Sequence, residues 1–139
     1  MISARQAAVV AVFLSGCCFA PGASTAAPVP LAGPLGTACA GHWTGSGVQP
    51  GYPPWTIDLN VTPETGEQCG TIEYPSLGCG GYLTHCGTLA SGESSFTEVY
   101  THTNANCSPE GTIRASCSTS MTWTWEGVGG PVTTTLTRM

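Results

Sequence analysis

From Gly41 onward, apolar side chains recur at every second position. Trp55, Ile57, Leu59 and Val61 alternate with Thr56, Asp58, Asn60 and Thr62; Met121, Trp123 and Trp125 alternate with Thr122, Thr124 and Glu126; Val132, Thr134 and Leu136 alternate with Thr133, Thr135 and Thr137. A period of two, carried by β-branched and aromatic residues, marks strands with one buried and one wet face. Turn-forming clusters at residues 50–54, 63–67, 75–78, 91–94, 104–109, 118–120 and 127–131 cut this stretch into eight segments with short connections. The spacing predicts an all-β domain over residues 39–139, an eight-stranded antiparallel up-and-down β-barrel with almost no helix.

In such a meander odd strands climb and even strands descend, which assigns a height to every residue. Six cysteines lie in the predicted barrel, and six allow fifteen pairings. Cys79, in the turn after strand three, and Cys107, in the turn after strand five, both fall at the top rim. Cys69 opens strand three and Cys86 closes strand four, both lower. Cys39 precedes strand one and Cys117 ends strand six, both at the bottom. Equal heights predict three disulfides, Cys39 to Cys117, Cys69 to Cys86 and Cys79 to Cys107, each contributing about 2 to 4 kcal/mol.

The same heights place two further groups. If the barrel closes, strands one and eight are neighbours. Trp43 and Arg138 then meet at the bottom rim as a closing pair, a cation over an indole. Trp55, Tyr74 and Trp125 point inward near the top, with Tyr100 and His102 approaching the same rim; these five are the candidate ligand-binding residues. A barrel of this size either fills itself with side chains or holds one small ligand. Tryptophans and tyrosines supply much of the buried area of a small domain, so plain core packing is the expected use of these rings.

The N-terminal third reads differently. One cation, Arg5, precedes an apolar run at residues 7–14; that length suits the central region of a secretory signal peptide and is too short to span a bilayer. Leu14-Ser15-Gly16-Cys17 resembles the bacterial lipobox, in which the cysteine thiol receives a diacylglyceryl group before cleavage on its N-terminal side. The resemblance implies a signal peptide at residues 1–16, lipidation at Cys17, and a lipidated flexible linker at residues 17–38, uncharged and rich in proline, glycine and alanine. Such a linker spans roughly 25 Å. The alternative is ordinary cleavage near Ser24-Thr25-Ala26 and secretion of a soluble domain. Cys18 has no expected role beyond its place beside Cys17. Either address, with an even set of body cysteines, implies an oxidising compartment outside the cytoplasm.

Composition narrows the chemistry. The 139 residues hold three arginines, no lysine and eight acids, a net charge of -5, which leaves no basic surface for a phosphate backbone and excludes nucleic acid as a main partner. No Gly-x-Ser-x-Gly turn is present to expose a serine nucleophile; Gly45-Ser46-Gly47 sits inside a strand, where glycine marks a bulge or close packing. His85 beside Cys86 invites a metal reading but lacks the Cys-x-x-Cys or His-x-x-x-His spacing that holds a tetrahedral ion. Asp58, Glu73 and Glu126 fall on the threonine-bearing outer face, not across a cleft as paired glycosidase carboxylates do. Arg114 shares that outward parity. The expectation is a non-enzymatic protein without metal or cofactor.

Two resemblances add to this. Gly41-His42-Trp43 on the first strand with a terminal Arg138 over the indole resembles the closing device of calycin barrels, the group that includes lipocalins and avidins. Tyr74-Pro75-Ser76-Leu77-Gly78-Cys79 resembles a turn found in small exported actinobacterial domains, some free and some fused as the outer part of membrane serine/threonine kinases. Their other recurring elements have counterparts in Trp43-Thr44-Gly45, in Cys107 before Gly111-Thr112, and in the Thr-Leu-Thr-Arg ending at Arg138. That likeness implies an extracytoplasmic domain and independently favours the Cys79 to Cys107 bond. The chain departs from those relatives in four further body cysteines and in lacking a kinase segment.

The expected function is therefore that of a surface lipoprotein. Its barrel binds an extracytoplasmic protein, and it is held to the membrane by its N-terminal lipid. One alternative is a lipocalin-like carrier of a small apolar ligand. Another is an inhibitor similar in architecture to the bacterial lipoprotein inhibitors of lysozyme, or a protease inhibitor.

Overall fold

The computed structural model of the chain describes residues 37–63 and 68–139; Cys17, Cys18, the proposed signal and all of the proposed linker except Thr37 and Ala38, which enter a turn of helix, lie outside the described residues. A single turn of 3-10 helix at Thr37–Cys39 leads into eight strands: β1 (Gly41–Gly47), β2 (Trp55–Val61), β3 (Gly70–Tyr74), β4 (Cys79–Thr88), β5 (Ser94–His102), β6 (Thr112–Cys117), β7 (Ser120–Glu126) and β8 (Val132–Arg138). Each pairs with its sequence neighbour, and β8 returns to β1, closing the barrel in the order β1 to β8. All pairings are antiparallel. The meander fits connections of two to nine residues, since antiparallel neighbours need only a short return between them.

Alternation sorts the side chains as the period of two requires. Ile57, Leu59, Ile72, Leu83, Phe96, Ile113, Met121, Trp123 and Leu136 fill the interior. The outer face carries threonines and sparse charge: His42 pairs with Asp58 at 2.8 Å, His102 with Glu73 at 3.0 Å, and Arg114 spans Glu126 and Glu93. Asp58, Glu73, Glu126 and Arg114 thus all lie on the wet side. Pairs this exposed contribute little, about 0 to 1 kcal/mol each.

Closure concentrates at the bottom rim. Trp43 is fully buried and sits opposite Arg138 in the β1–β8 register. The Arg138 guanidinium lies 4.3 Å from the indole centroid. It also donates to the carbonyls of Ala40 at 2.8 Å and Ala38 at 3.1 Å, while the Trp43 N–H donates to the Cys39 carbonyl at 2.9 Å. One arginine therefore ties the last strand to the segment before the first.

The disulfides are Cys39–Cys117, Cys69–Cys86 and Cys79–Cys107, with Cα separations of 5.1, 6.2 and 6.2 Å. They close segments of 78, 17 and 28 residues, and they belong to an oxidising, extracytoplasmic environment. Two bulges interrupt the β4–β5 ladder, one between Gly80 and Gly81 and one between Thr84 and Gly87. At the second, β4 runs on through Thr88 instead of closing at Cys86, and His85 takes a φ of 50°. The extra residue turns Cys86 inward to meet Cys69 and leaves His85 exposed. With its sulfur in a disulfide, Cys86 is no thiolate ligand for a metal beside His85.

Replacing Arg138 by glutamine removes both carbonyl bonds to the segment before β1 and the stacked cation. The expected loss is about 1 to 2 kcal/mol, read as a fall of several degrees in thermal unfolding under oxidising conditions; an unchanged midpoint would mean the closure does not depend on this contact.

Candidate functional site: an aromatic cup at the top of the barrel

A cavity of about 450 Å³ is bounded by Tyr52 and Trp55 from the β1–β2 side, Tyr74 and Leu77 from the β3–β4 corner, Tyr100 from β5, and Trp123 and Trp125 from β7. Core packing, the expected use of these rings, is met at Tyr74, Trp123 and Trp125, which are buried members of the core with Trp55 and Tyr100 packed against them, and the same five rings border the cavity. Inward positions near the top carry wide flat rings that line the cavity, whereas Ile57, Leu59, Ile72, Leu83, Phe96, Ile113 and Leu136 are buried without lining it. Glycine makes room for the rings: the Trp55 indole lies against Gly47, and the Trp125 indole lies against Gly111 and Gly127, where a Cβ would overlap them.

The mouth is held by side chains that cross between loops. Gln49 donates to the Gly129 carbonyl at 2.9 Å, joining the β1–β2 and β7–β8 connections. Ser76 and Thr56 exchange backbone-to-hydroxyl bonds of 2.8 and 3.1 Å, tying the β3–β4 turn to β2. Asn104 donates to the carbonyls of Leu77 and Gly78 at 2.7 and 3.1 Å, beside the Cys79–Cys107 bond. The Tyr-Pro-Ser-Leu-Gly-Cys turn is thus pinned on both flanks, and the cup is preformed.

Behind the rings lies Glu98, a fully buried carboxyl on β5. It accepts hydrogen bonds from the Tyr74 hydroxyl, from the Trp125 N–H at 2.7 Å and from the Gly111 backbone N–H at 3.2 Å. Burial pushes its carboxyl above the usual range, against the pull of the bonds from Tyr74, Trp125 and Gly111. Burial and the neighbouring Glu98 push the Tyr74 and Tyr100 hydroxyls up as well. Tyr74 and Tyr100 meet edge to face, with centroids 6.4 Å apart. Trp123 forms the floor below Trp125, and its N–H has no acceptor among the described residues.

Of the five candidate ligand-binding residues, Trp55, Tyr74, Tyr100 and Trp125 line the cup. His102 does not: it is exposed and pairs with Glu73 on the outer face. The bulge opposite Gly80 and Gly81 places one extra residue, Thr101, in β5 and reverses the facing of His102. Gly80, lying between Glu73 and His102 in the ladder, carries no side chain to keep them apart. Parity counted without the bulge therefore misplaces this one residue. Tyr52, Trp123 and Glu98 were not among the candidates. Glu98 was open to discovery, because it shares the parity of Phe96 and Tyr100 and so stands as an acid at an inward position.

Fold and site together define a disulfide-bonded, eight-stranded up-and-down barrel, blind at the bottom and carrying an aromatic cup at the top. No protein-family model, curated protein or solved structure matches the chain.

Because its native carboxyl titrates above that of the unfolded chain, Glu98 adds stability that is fully present at low pH and is lost as pH rises through the folded-state value. Glu98→Gln mimics the protonated side chain and abolishes this titration. Unfolding free energy of the wild type should fall more steeply than that of the variant from pH 4.5 upward, measured by denaturant titration at stepped pH; parallel profiles would exclude a raised carboxyl.

Proposed function

We propose that the chain is an exported, non-enzymatic binding protein whose barrel holds one small, largely apolar molecule in the cup. The carrying observation is the open cavity ringed by Tyr52, Trp55, Tyr74, Tyr100, Trp123 and Trp125. A concave, largely apolar wall with a few placed polar groups is the usual form of a small-molecule site. The orphan N–H of Trp123 supports the same reading, since a buried unpaired donor costs about 1 to 3 kcal/mol and a ligand oxygen reaching the floor would recover it. The disulfides fit an exported barrel, and the reading includes membership of the small exported actinobacterial domains that carry the Tyr74 to Cys79 turn.

In this proposal Cys17 carries the lipid, and the chain enters the barrel at Cys39, at the end opposite the cup. An anchored barrel would therefore present its mouth away from the membrane. A second reading, an extracytoplasmic protein partner, is favoured by the rim itself: Val48, Tyr52 and Val128 are exposed by 63, 67 and 69% on loops joined by the Gln49 to Gly129 bond.

The neutral fluorophore N-phenyl-1-naphthylamine should bind saturably at one site per barrel. Trp55→Ala should weaken that binding about tenfold while leaving thermal unfolding nearly unchanged, since Trp55 is only half-buried. Absence of saturable binding to the wild type, together with native mass spectra that remain ligand-free after incubation with lipid extract, would remove the carrier reading. For the anchor, Cys17→Ala should shift the expressed protein from the membrane fraction to the soluble one, with loss of the acyl mass; unchanged fractionation would exclude lipidation at Cys17.

A further inference from the structure

We propose that the ligand of the cup is an organic cation, a quaternary or methylated ammonium carried on an apolar body. This rests on the reading of the cup as a small-molecule site and names the chemical class it takes. The first ground is the wall. Six aromatic side chains, Tyr52, Trp55, Tyr74, Tyr100, Trp123 and Trp125, surround one cavity that no lysine, arginine or histidine lines. Ring faces carry negative quadrupole potential, and a cage of them is the recurrent receptor for alkylammonium groups, whose charge is spread over methyls that need no hydrogen bonds.

The second ground is the placement of Glu98. It does not line the cup but lies directly behind it, and two of the wall rings, Tyr74 and Trp125, donate their O–H and N–H to it. A ring that donates to a carboxylate becomes richer in electrons, so these two walls attract a cation more strongly than isolated rings do. A compact ammonium such as lysine's would demand direct hydrogen bonds. A carboxylate screened by rings suits a cation that has none to give.

The third ground is that, among the described residues, no cation competes from inside the barrel. Arg114 is held by Glu93 and Glu126 on the outer face, and Arg138 stacks on Trp43 at the bottom rim. The titratable groups around Glu98 are Tyr74, Tyr100 and Glu110, none of them positive. A cation in the cup opposes the upward push that burial exerts on the Glu98 carboxyl, so ionisation and binding reinforce one another. An anionic guest would meet acidic and electron-rich groups with no counter-charge.

The test compares benzyltrimethylammonium with neopentylbenzene, an uncharged isostere in which carbon replaces nitrogen, by tryptophan fluorescence and calorimetry on the oxidised protein. The cation should bind about tenfold or more tighter than the isostere. Glu98→Gln should reduce that preference several-fold, and Trp55→Leu, at the half-buried rim, should do so without disturbing the interior. Equal or tighter binding of neopentylbenzene would overturn the cationic class and leave the cup as an apolar site. Binding of N-phenyl-1-naphthylamine with neither isostere bound would do the same. Failure of all three probes would remove the small-molecule reading together with this one. A preference that persists undiminished in both variants would overturn the assignment to the aromatic walls and Glu98.

Discussion

The barrel depends on the seam where its last strand meets its first. A meander of eight short strands has two raw edges, each presenting unpaired backbone groups, and only their mutual pairing removes them. Here the β1–β8 register involves Trp43 with Arg138 and Thr44 with Thr137, and Arg138 extends the seam by reaching the carbonyls of Ala38 and Ala40. The guanidinium caps an indole that is itself fully buried, so the joint is sealed from below. The Cys39–Cys117 bond crosses from the segment before β1 to the end of β6 and holds the same end from another side. With only two arginines among the described residues, one is committed to this joint.

A closed bottom makes an open top possible. The mid-level layer of aliphatic side chains and Phe96 supplies the packed core, and the upper level is free to carry rings that line a cavity. That arrangement has a cost at Glu98, where an acid is taken wholly out of water. Donors from β3, β7 and the residue just before β6 converge on it through Tyr74, Trp125 and Gly111, which is what a buried carboxyl requires to be tolerated. These same donors fix the orientation of two cup walls, so the polar network behind the cavity also rigidifies its shape.

Much of the architecture was legible because alternation is a local property. Trp55 through Val61 and Met121 through Glu126 declare their inward faces without reference to anything else, and strand heights then bring Cys79 to the level of Cys107 and Cys39 to that of Cys117. The resemblance of the Tyr74 to Cys79 turn to exported domains pointed to the same Cys79 bond. Parity failed only where the ladder slips. One additional residue in β5 turned His102 outward to Glu73, and another in β4 carried Cys86 to its partner while leaving His85 in a left-handed conformation. Bulges of this kind arise from the match between two strands and leave no mark in either alone.

By itself the amino-acid sequence determined the all-β class, the eight-strand meander, the disulfide pairing and the inward set Trp55, Tyr74, Tyr100 and Trp125. Each follows from period, turn spacing and strand direction, which act over a few residues. Only the tertiary structure decided whether those rings met across the axis or stood apart. That depends on barrel radius and on the glycines at 47, 111 and 127 against which the indoles lie. It alone brought Glu98 behind two of the walls and left the Trp123 N–H without an acceptor, because hydrogen bonding inside a barrel is settled by side chains from strands distant in sequence.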